Sequence, residues 1–107
     1  MKYKVSLTQA ALNDLYAIND YYLAQVSDTV ATNIISKLQS AVLSLENLPE
    51  RGSIPRELSV TGIMRYRQIV TLNYRIIYRI VNNMVYVMMV IDGRRDVVTA
   101  LMRRQLV

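Results

Sequence analysis

Arg67, Arg75 and Arg79 recur inside strand-like runs between Tyr66 and Asp96, and Arg94-Arg95 follow the last run as a pair. A guanidinium is planar, permanently charged and suited to bidentate contact with carboxylates or phosphates. Arginines planted in strands must point at water or at something acidic, so they mark this sheet as a candidate binding surface as well as a core. The positive charge is concentrated in this half. Residues 51–107 carry ten arginines against Glu57, Asp92 and Asp96, whereas residues 1–50 carry Lys2, Lys4 and Lys37 against five carboxylates. An acidic partner follows, which charge alone does not divide between protein and nucleic acid.

Acid–base chemistry is poorly served. The 107 residues contain no histidine and no cysteine. Thiol nucleophiles, Cys/His zinc sites and a disulfide framework are therefore excluded, and proton transfer falls to carboxylates, tyrosine or lysine. Asp14 and Asp20 lie on the first helical pattern, while Asp92 and Asp96 flank the arginine pair and are expected to orient it. Only three glycines are present, with no phosphate-binding loop. No cofactor or metal is expected. Most of the eight tyrosines read as core or core-rim residues, Tyr22 and Tyr78 among them, with Tyr74 and Tyr86 left open. The methionines read as core filling.

The elements that must position the arginines follow from periodicity. Tyr3, Val5 and Leu7 alternate with polar residues as a short first strand. Thr8 can cap a helix over about Gln9 to Gln25, whose apolar stripe is Ala11, Leu15, Ile18 and Tyr22. Ser27 or Asp28 starts a second helix with Val30, Ile34, Leu38, Ala41, Leu45 and Leu48 on one face. Ala31, Ile35 and Val42 widen that face. The short join predicts an antiparallel helical hairpin. Pro49 and Gly52 end it, Pro55 opposes an immediate restart, and residues 49–62 form an ordered connection. Three consecutive strands follow, two of them joined through Asn82-Asn83 and the last closed by Asp92-Gly93. A short tail with Val98, Leu101, Met102 and Leu106 at helical spacing ends in Arg103 and Arg104. The expected fold is a single α+β domain over 1–107: an N-terminal strand, a helical hairpin packed on an antiparallel sheet, and a short C-terminal helix. Residues 1–7 are too short and polar for a targeting core. The longest apolar run, Met84 to Ile91, falls far short of roughly 20 residues needed for a membrane span. A cytoplasmic domain without a membrane partner is expected.

Strand alternation then sorts the arginines. With Ile76, Tyr78 and Ile80 facing the helices, Arg75, Ile77, Arg79 and Val81 face the other way, the two arginines about 13 Å apart at about 3.3 Å per residue. Arg67, Ile69 and Thr71 share one side of their own strand and join this face if the register matches. Ile69, Ile77 and Val81 would then stand exposed among arginines, as on a partner-binding surface.

These residues, in this order, resemble the RelE/ParE superfamily of type II toxin–antitoxin toxins. The resemblance rests on YKVSLTQAALNDLYAINDYY, SLENLPERG, the REL segment, YRQIVTLNYRIIYRI and VYVMMVIDGRRDVVTALMRR, and so covers nearly the whole chain. It implies the RelE/ParE-like fold, a cognate antitoxin with an acidic, partly disordered segment, and a toxin–antitoxin hetero-oligomer. The superfamily contains ribosome-dependent mRNA nucleases, and Arg67, Arg75 and Arg95 fall where their basic cluster stands. Ile69 replaces a strand lysine often found there, and Leu101 stands roughly where several members have a tyrosine. The end of helix 1 and the long second helix resemble the ParE branch, whose members poison DNA gyrase without catalytic residues. That reading places the contact surface for antitoxin or target on Arg67, Ile69, Arg75, Ile77, Arg79, Val81, Arg94, Arg95, Arg103 and Arg104. The alternatives are an mRNA endoribonuclease acting on the ribosome and a family member that has lost toxicity.

Overall fold

The structure, a computed structural model, describes residues 2–104. Strand β1 (Lys4–Leu7) leads into helix α1 (Gln9–Gln25) and helix α2 (Asp28–Leu43). Both helices start where a side chain can satisfy first-turn amides. Thr8 Oγ1 accepts from the Ala11 amide at 3.2 Å and Ser27 Oγ from the Val30 amide at 3.1 Å. The anticipated stripe of α1 is buried at Ala11, Leu15 and Ile18, with Tyr22 packed at its edge. On α2 the buried residues are Ala31, Leu38 and Val42. The helix stops at Leu43, earlier than its apolar spacing suggested, and a 3₁₀ turn over Ser44–Glu46 carries Leu45 into the core. Leu48, expected on the stripe, is 64% exposed because this tighter turn rotates it outward. Pro55 does not prevent a restart: α3 (Arg56–Ser59) begins directly after it. A proline is tolerated at a helix start, where its missing N–H has no partner to lose.

Strands β2 (Arg67–Thr71), β3 (Tyr74–Val81) and β4 (Met84–Asp92) form the expected antiparallel meander, and α4 (Val97–Arg103) follows. β1 adds beside β4 in parallel, giving the order β1-β4-β3-β2. Both hairpins turn through two residues, with Leu72 and Asn82 at positive φ. The inner sheet face meets the hairpin through Leu15, Ile18, Leu38, Val42 and Leu45 against Ile69, Ile76, Tyr78, Val85, Val87 and Val90. Each fully buried aliphatic side chain there contributes about 1.5–3 kcal/mol. Tyr78 is fully buried; its hydroxyl donates to the Pro49 carbonyl at 2.6 Å and accepts from the Gly52 amide at 3.1 Å. A Cβ on Gly52 would stand 2.5 Å from the Gln68 carbonyl oxygen, so this approach of loop to sheet requires glycine.

The outer sheet face is not open throughout, contrary to the sequence reading. α3 and α4 lie over part of it and bury a second cluster: Leu58, Tyr66, Ile77, Met89, Ile91, Val97, Ala100 and Leu101. The register slips between Ile77 and Tyr78, which pair with Met89 and Val87. Met88 is the extra residue of this bulge. Val85 and Val87 therefore point to the first core, while Met89 and Ile91 point to the second. From Met89 to Ile91 the strand is buried on both faces and reads as a continuous apolar run, whereas Met84 and Tyr86 nearer its start are half-buried on the outer side. In the tail, Leu101 is buried, Val98 packs at the rim and Met102 is exposed. Leu106 lies outside the described residues. Among the described residues no helix is long and apolar enough to cross a membrane.

Candidate functional site

Arg75 lies at the centre of the covered half of the outer face, and it is fully engaged. Its Nη1 and Nη2 each meet one carboxylate oxygen of Glu57 at 2.8 Å, Nε donates to Gln68 Oε1 at 2.7 Å, and Nη1 also reaches the Arg95 carbonyl at 3.0 Å. Only 11% of the arginine side chain and 25% of the glutamate side chain are exposed. Glu57 additionally accepts from the Val97 amide at 3.1 Å, holding the first turn of α4. The hydrogen bonds from Arg75 hold its carboxyl at about 2, against an ordinary 4.5, with the Val97 amide adding to the effect and burial opposing it. One ion pair thus ties α3, β2, β3 and α4 together. The expectation that Arg75 points freely at water or at a partner is overturned.

Register removes Arg67 from the same face. Arg67 pairs with Tyr78 and Ile69 with Ile76, so both belong to the inner side, whereas Gln68 and Val70 stand beside Ile77 and Arg75. Arg67 Nη1 donates to the Gly52 carbonyl at 2.8 Å, clamping the loop under Tyr78, and Ile69 is buried in the first core. Ile77, expected to be exposed, is fully buried beneath α4. Arg67, Arg75 and Arg95 therefore do not converge: one faces inward, one is ion-paired and one carries its side chain into solvent. Leu101, at the position considered for a tyrosine, fills the second core.

The remaining candidates divide by their partners. Exposed Arg94 folds back on Asp92, with Nε 3.0 Å from Oδ1, which holds the Asp92 carboxyl below its usual range. Asp96 takes no part in orienting the pair. It caps α4 instead, accepting from the Thr99 amide and hydroxyl at 2.8 Å each. Arg95 and Arg103 are exposed. Arg104 forms a bidentate pair with Asp14 of α1 at 2.8 Å, and the same carboxylate accepts from the Val90 amide at 2.9 Å. β1 pairs with β4 only as far as Val87, so Asp14 serves an amide beyond the end of that pairing while fastening the chain after α4 to α1. Arg79 and Val81 do face outward and are half-buried; the Arg79 guanidinium carbon lies 6.0 Å from the Tyr66 ring centroid.

Sequence reasoning missed Glu57, Asp14 and Tyr66. Glu57 left a signal, being the single carboxylate among residues 51–91 and so the obvious counter-ion for a buried arginine. Asp14 left none, because its partner stands 90 residues away. Tyr74 sits at the sheet end with Tyr22, their hydroxyls 3.4 Å apart, and burial with this neighbour pushes its hydroxyl pKa up. Among the described residues no group of three or more His, Cys, Asp or Glu side chains could hold a metal. What the arrangement offers chemically is a set of exposed guanidiniums around the start and outer side of α4 (Arg94, Arg95, Arg103), and a second, separate basic patch at Arg79.

The model of the ParE toxin of type II toxin-antitoxin system, parDE, matches residues 5–97. No curated protein sequence gives a significant match. The fold is similar to that of a chain in the chromosomal ParDE toxin–antitoxin system of P. aeruginosa, with TM-score 0.71 at 17% identity, covering 85% of this chain and 96% of that one. It is also similar to a chain in the toxin–antitoxin complex RelBE2 of Mycobacterium tuberculosis, with TM-score 0.64 at 20% identity over 86% and 99% of the two chains. A mutant of the E. coli toxin RelE in the free state matches with TM-score 0.63 at 16% identity over the full length of both chains.

Proposed function

The chain belongs to the ParE toxin family of type II toxin–antitoxin systems, and from that premise we propose that it arrests growth as a binding inhibitor of DNA gyrase. The inhibitor stabilises the cleaved DNA state, has no catalytic residues of its own and is neutralised by a cognate antitoxin. One observation carries this choice over the ribosome-dependent nuclease. Of the three arginines a nuclease of this fold would use, Arg75 is bound on both nitrogens of its fork by Glu57, and Arg67 lies on the other side of the sheet. A scissile phosphate would find neither a converging cluster to neutralise its developing charge nor a base for the 2′-hydroxyl. The exposed guanidiniums of Arg94, Arg95 and Arg103 supply the contact surface that binding to gyrase requires. The structures of similar fold from P. aeruginosa and M. tuberculosis are toxin–antitoxin systems, which supports an antitoxin as the second partner.

The order of events on expression tests this reading. A gyrase inhibitor induces the DNA-damage response while protein synthesis continues at first. A nuclease stops protein synthesis first and leaves cuts within ribosome-bound codons. The second order would overturn the proposal.

A further inference from the structure

The apolar stripe of α2 is broader than the sheet can cover. Ala31, Leu38 and Val42 are buried, but Ile35 is only half-buried. On the side away from the sheet, α1 and α2 leave a groove between them. Leu12, Tyr16 and Ile35 line one half of it and Leu7 and Leu43 the other; Leu15 lines both, so the groove is continuous. Tyr16 is 59% and Leu43 58% exposed. Apolar surface left open along a groove marks a docking site.

The chemistry of the groove selects its occupant. Among the described residues, none that lines it is charged. Its polar members, Asn19, Ser36 and Gln39 among them, are amides and hydroxyls, which donate and accept alike. A strongly acidic or basic partner finds no counter-charge there. A second copy of the same face meets neither like charge nor a donor it cannot match. The face also carries both halves of a contact, because the Tyr16 ring stands out beside a groove that can receive it. We propose that the α1–α2 face is a homodimer interface, where two copies of this chain meet about a two-fold axis. Each Tyr16 ring lies in the groove of the other copy, its hydroxyl within reach of the amide side chains there.

Long-range charge agrees with this pairing. Residues 1–50 carry three lysines against five carboxylates, whereas residues 51–107 carry ten arginines against three carboxylates. Contact through the hairpins brings the weakly charged halves together and turns the arginine-bearing sheet faces away from each other. Two helical layers of about 10 Å each then separate the sheets, beyond the Debye length of about 8 Å at physiological salt. Asp20 on α1 and Lys37 on α2 are exposed outside the groove. A two-fold axis normal to the face lays α1 of one copy over α2 of the other, so any approach between these two is of opposite charges. Area sets the strength. The length of α1, about 25 Å at 1.5 Å per residue, and a width of about 20 Å for two helices give roughly 500 Å² per copy. The total of about 1,000 Å² is the lower limit for a specific interface. A weak dimer follows, with Kd on the order of 10–100 µM.

Sedimentation equilibrium of the full chain tests this from about 1 µM to about 500 µM. The mass should rise from 12.3 kDa towards twice that value, and equally so at high salt, since apolar contact is not screened. Tyr16→Glu and Leu43→Glu should each weaken the association about ten-fold or more. Their Tm should stay unchanged, because both side chains are exposed. Tyr21→Glu, on the same helix and equally exposed at 59% but outside the groove, should leave the dimer intact. A monomer at every concentration would overturn the proposal, as would a dimer that survives both groove substitutions or yields equally to Tyr21→Glu. If the groove serves a co-expressed antitoxin instead, Tyr16→Glu breaks that complex while the chain alone stays monomeric, and the proposal fails. Gyrase inhibition takes no part in the readout, so the outcome does not depend on the target proposed above.

Discussion

Arg75→Ala should be among the more destabilising single substitutions on the sheet, although it removes a charge from a residue that alternation alone assigns to the surface. The magnitude comes from its partner. The Glu57 carboxyl is held at about 2 against an ordinary 4.5, which at about 1.4 kcal/mol per pH unit corresponds to roughly 3 kcal/mol of differential stabilisation. With the two side chains 11% and 25% exposed, screening trims the effect, and removing the arginine leaves a part-buried carboxylate uncompensated. A cost of about 2–4 kcal/mol is expected, and on the order of 10 °C or more in Tm for a domain of this size. The assay is thermal and urea denaturation of wild type, Arg75→Ala and Glu57→Gln across pH. Because the folded carboxyl is depressed, its contribution is complete above the unfolded value of 4.5 and is lost as pH falls through the folded value of about 2. The gap between wild type and Arg75→Ala should therefore close over that window, while Glu57→Gln loses the corresponding slope. A Tm for Arg75→Ala within ~1 °C of wild type at neutral pH would mean that the pair is not structural and that Arg75 is free for a ligand.

Leu38→Ala, at a fully buried position in the main core, should cost about 2–5 kcal/mol by lost contacts and a cavity, measured by urea denaturation. Leu72 holds φ at 58° in the β2–β3 turn, a conformation that costs a branched side chain about 1 kcal/mol. Leu72→Asn should thus raise the stability by up to that amount, and a lower Tm would show the side chain packing to more effect than its 41% exposure suggests.

The helical hairpin was legible because two amphipathic stripes, two capping hydroxyls and a two-residue join all demand the same geometry. α1 occupies Gln9–Gln25 with Thr8 as the expected cap, and of the two candidate starts for α2, Ser27 caps and Asp28 is the first helical residue. The strands were legible as strands, but the partners of their side chains were not. Strand register is settled by pairing, and a shift of one residue moves every side chain across the sheet. Arg67 and Arg75 look alike in sequence, yet pairing with Tyr78 and Ile91 sends them to opposite faces. The second core was hidden for another reason. Leu58 lies on a four-residue helix and Val97, Ala100 and Leu101 on one of seven, too short for a periodic stripe to stand out. Ile77 consequently looked exposed when it is the floor beneath α4. Of the surface read from sequence, Arg79, Val81, Arg94, Arg95 and Arg103 keep the outward exposure expected of them, in whole or in part.

Stoichiometry with purified gyrase tests the central claim most directly. Gyrase–DNA cleavage complexes are measured as this protein is titrated against a fixed amount of gyrase, with ribosomes translating a labelled mRNA in a parallel reaction. A non-catalytic inhibitor should raise the cleavage complexes until it matches gyrase in amount and then saturate, while the mRNA stays intact. Multiple cuts of ribosome-bound mRNA per molecule of protein, with gyrase unaffected at every ratio, would contradict the account.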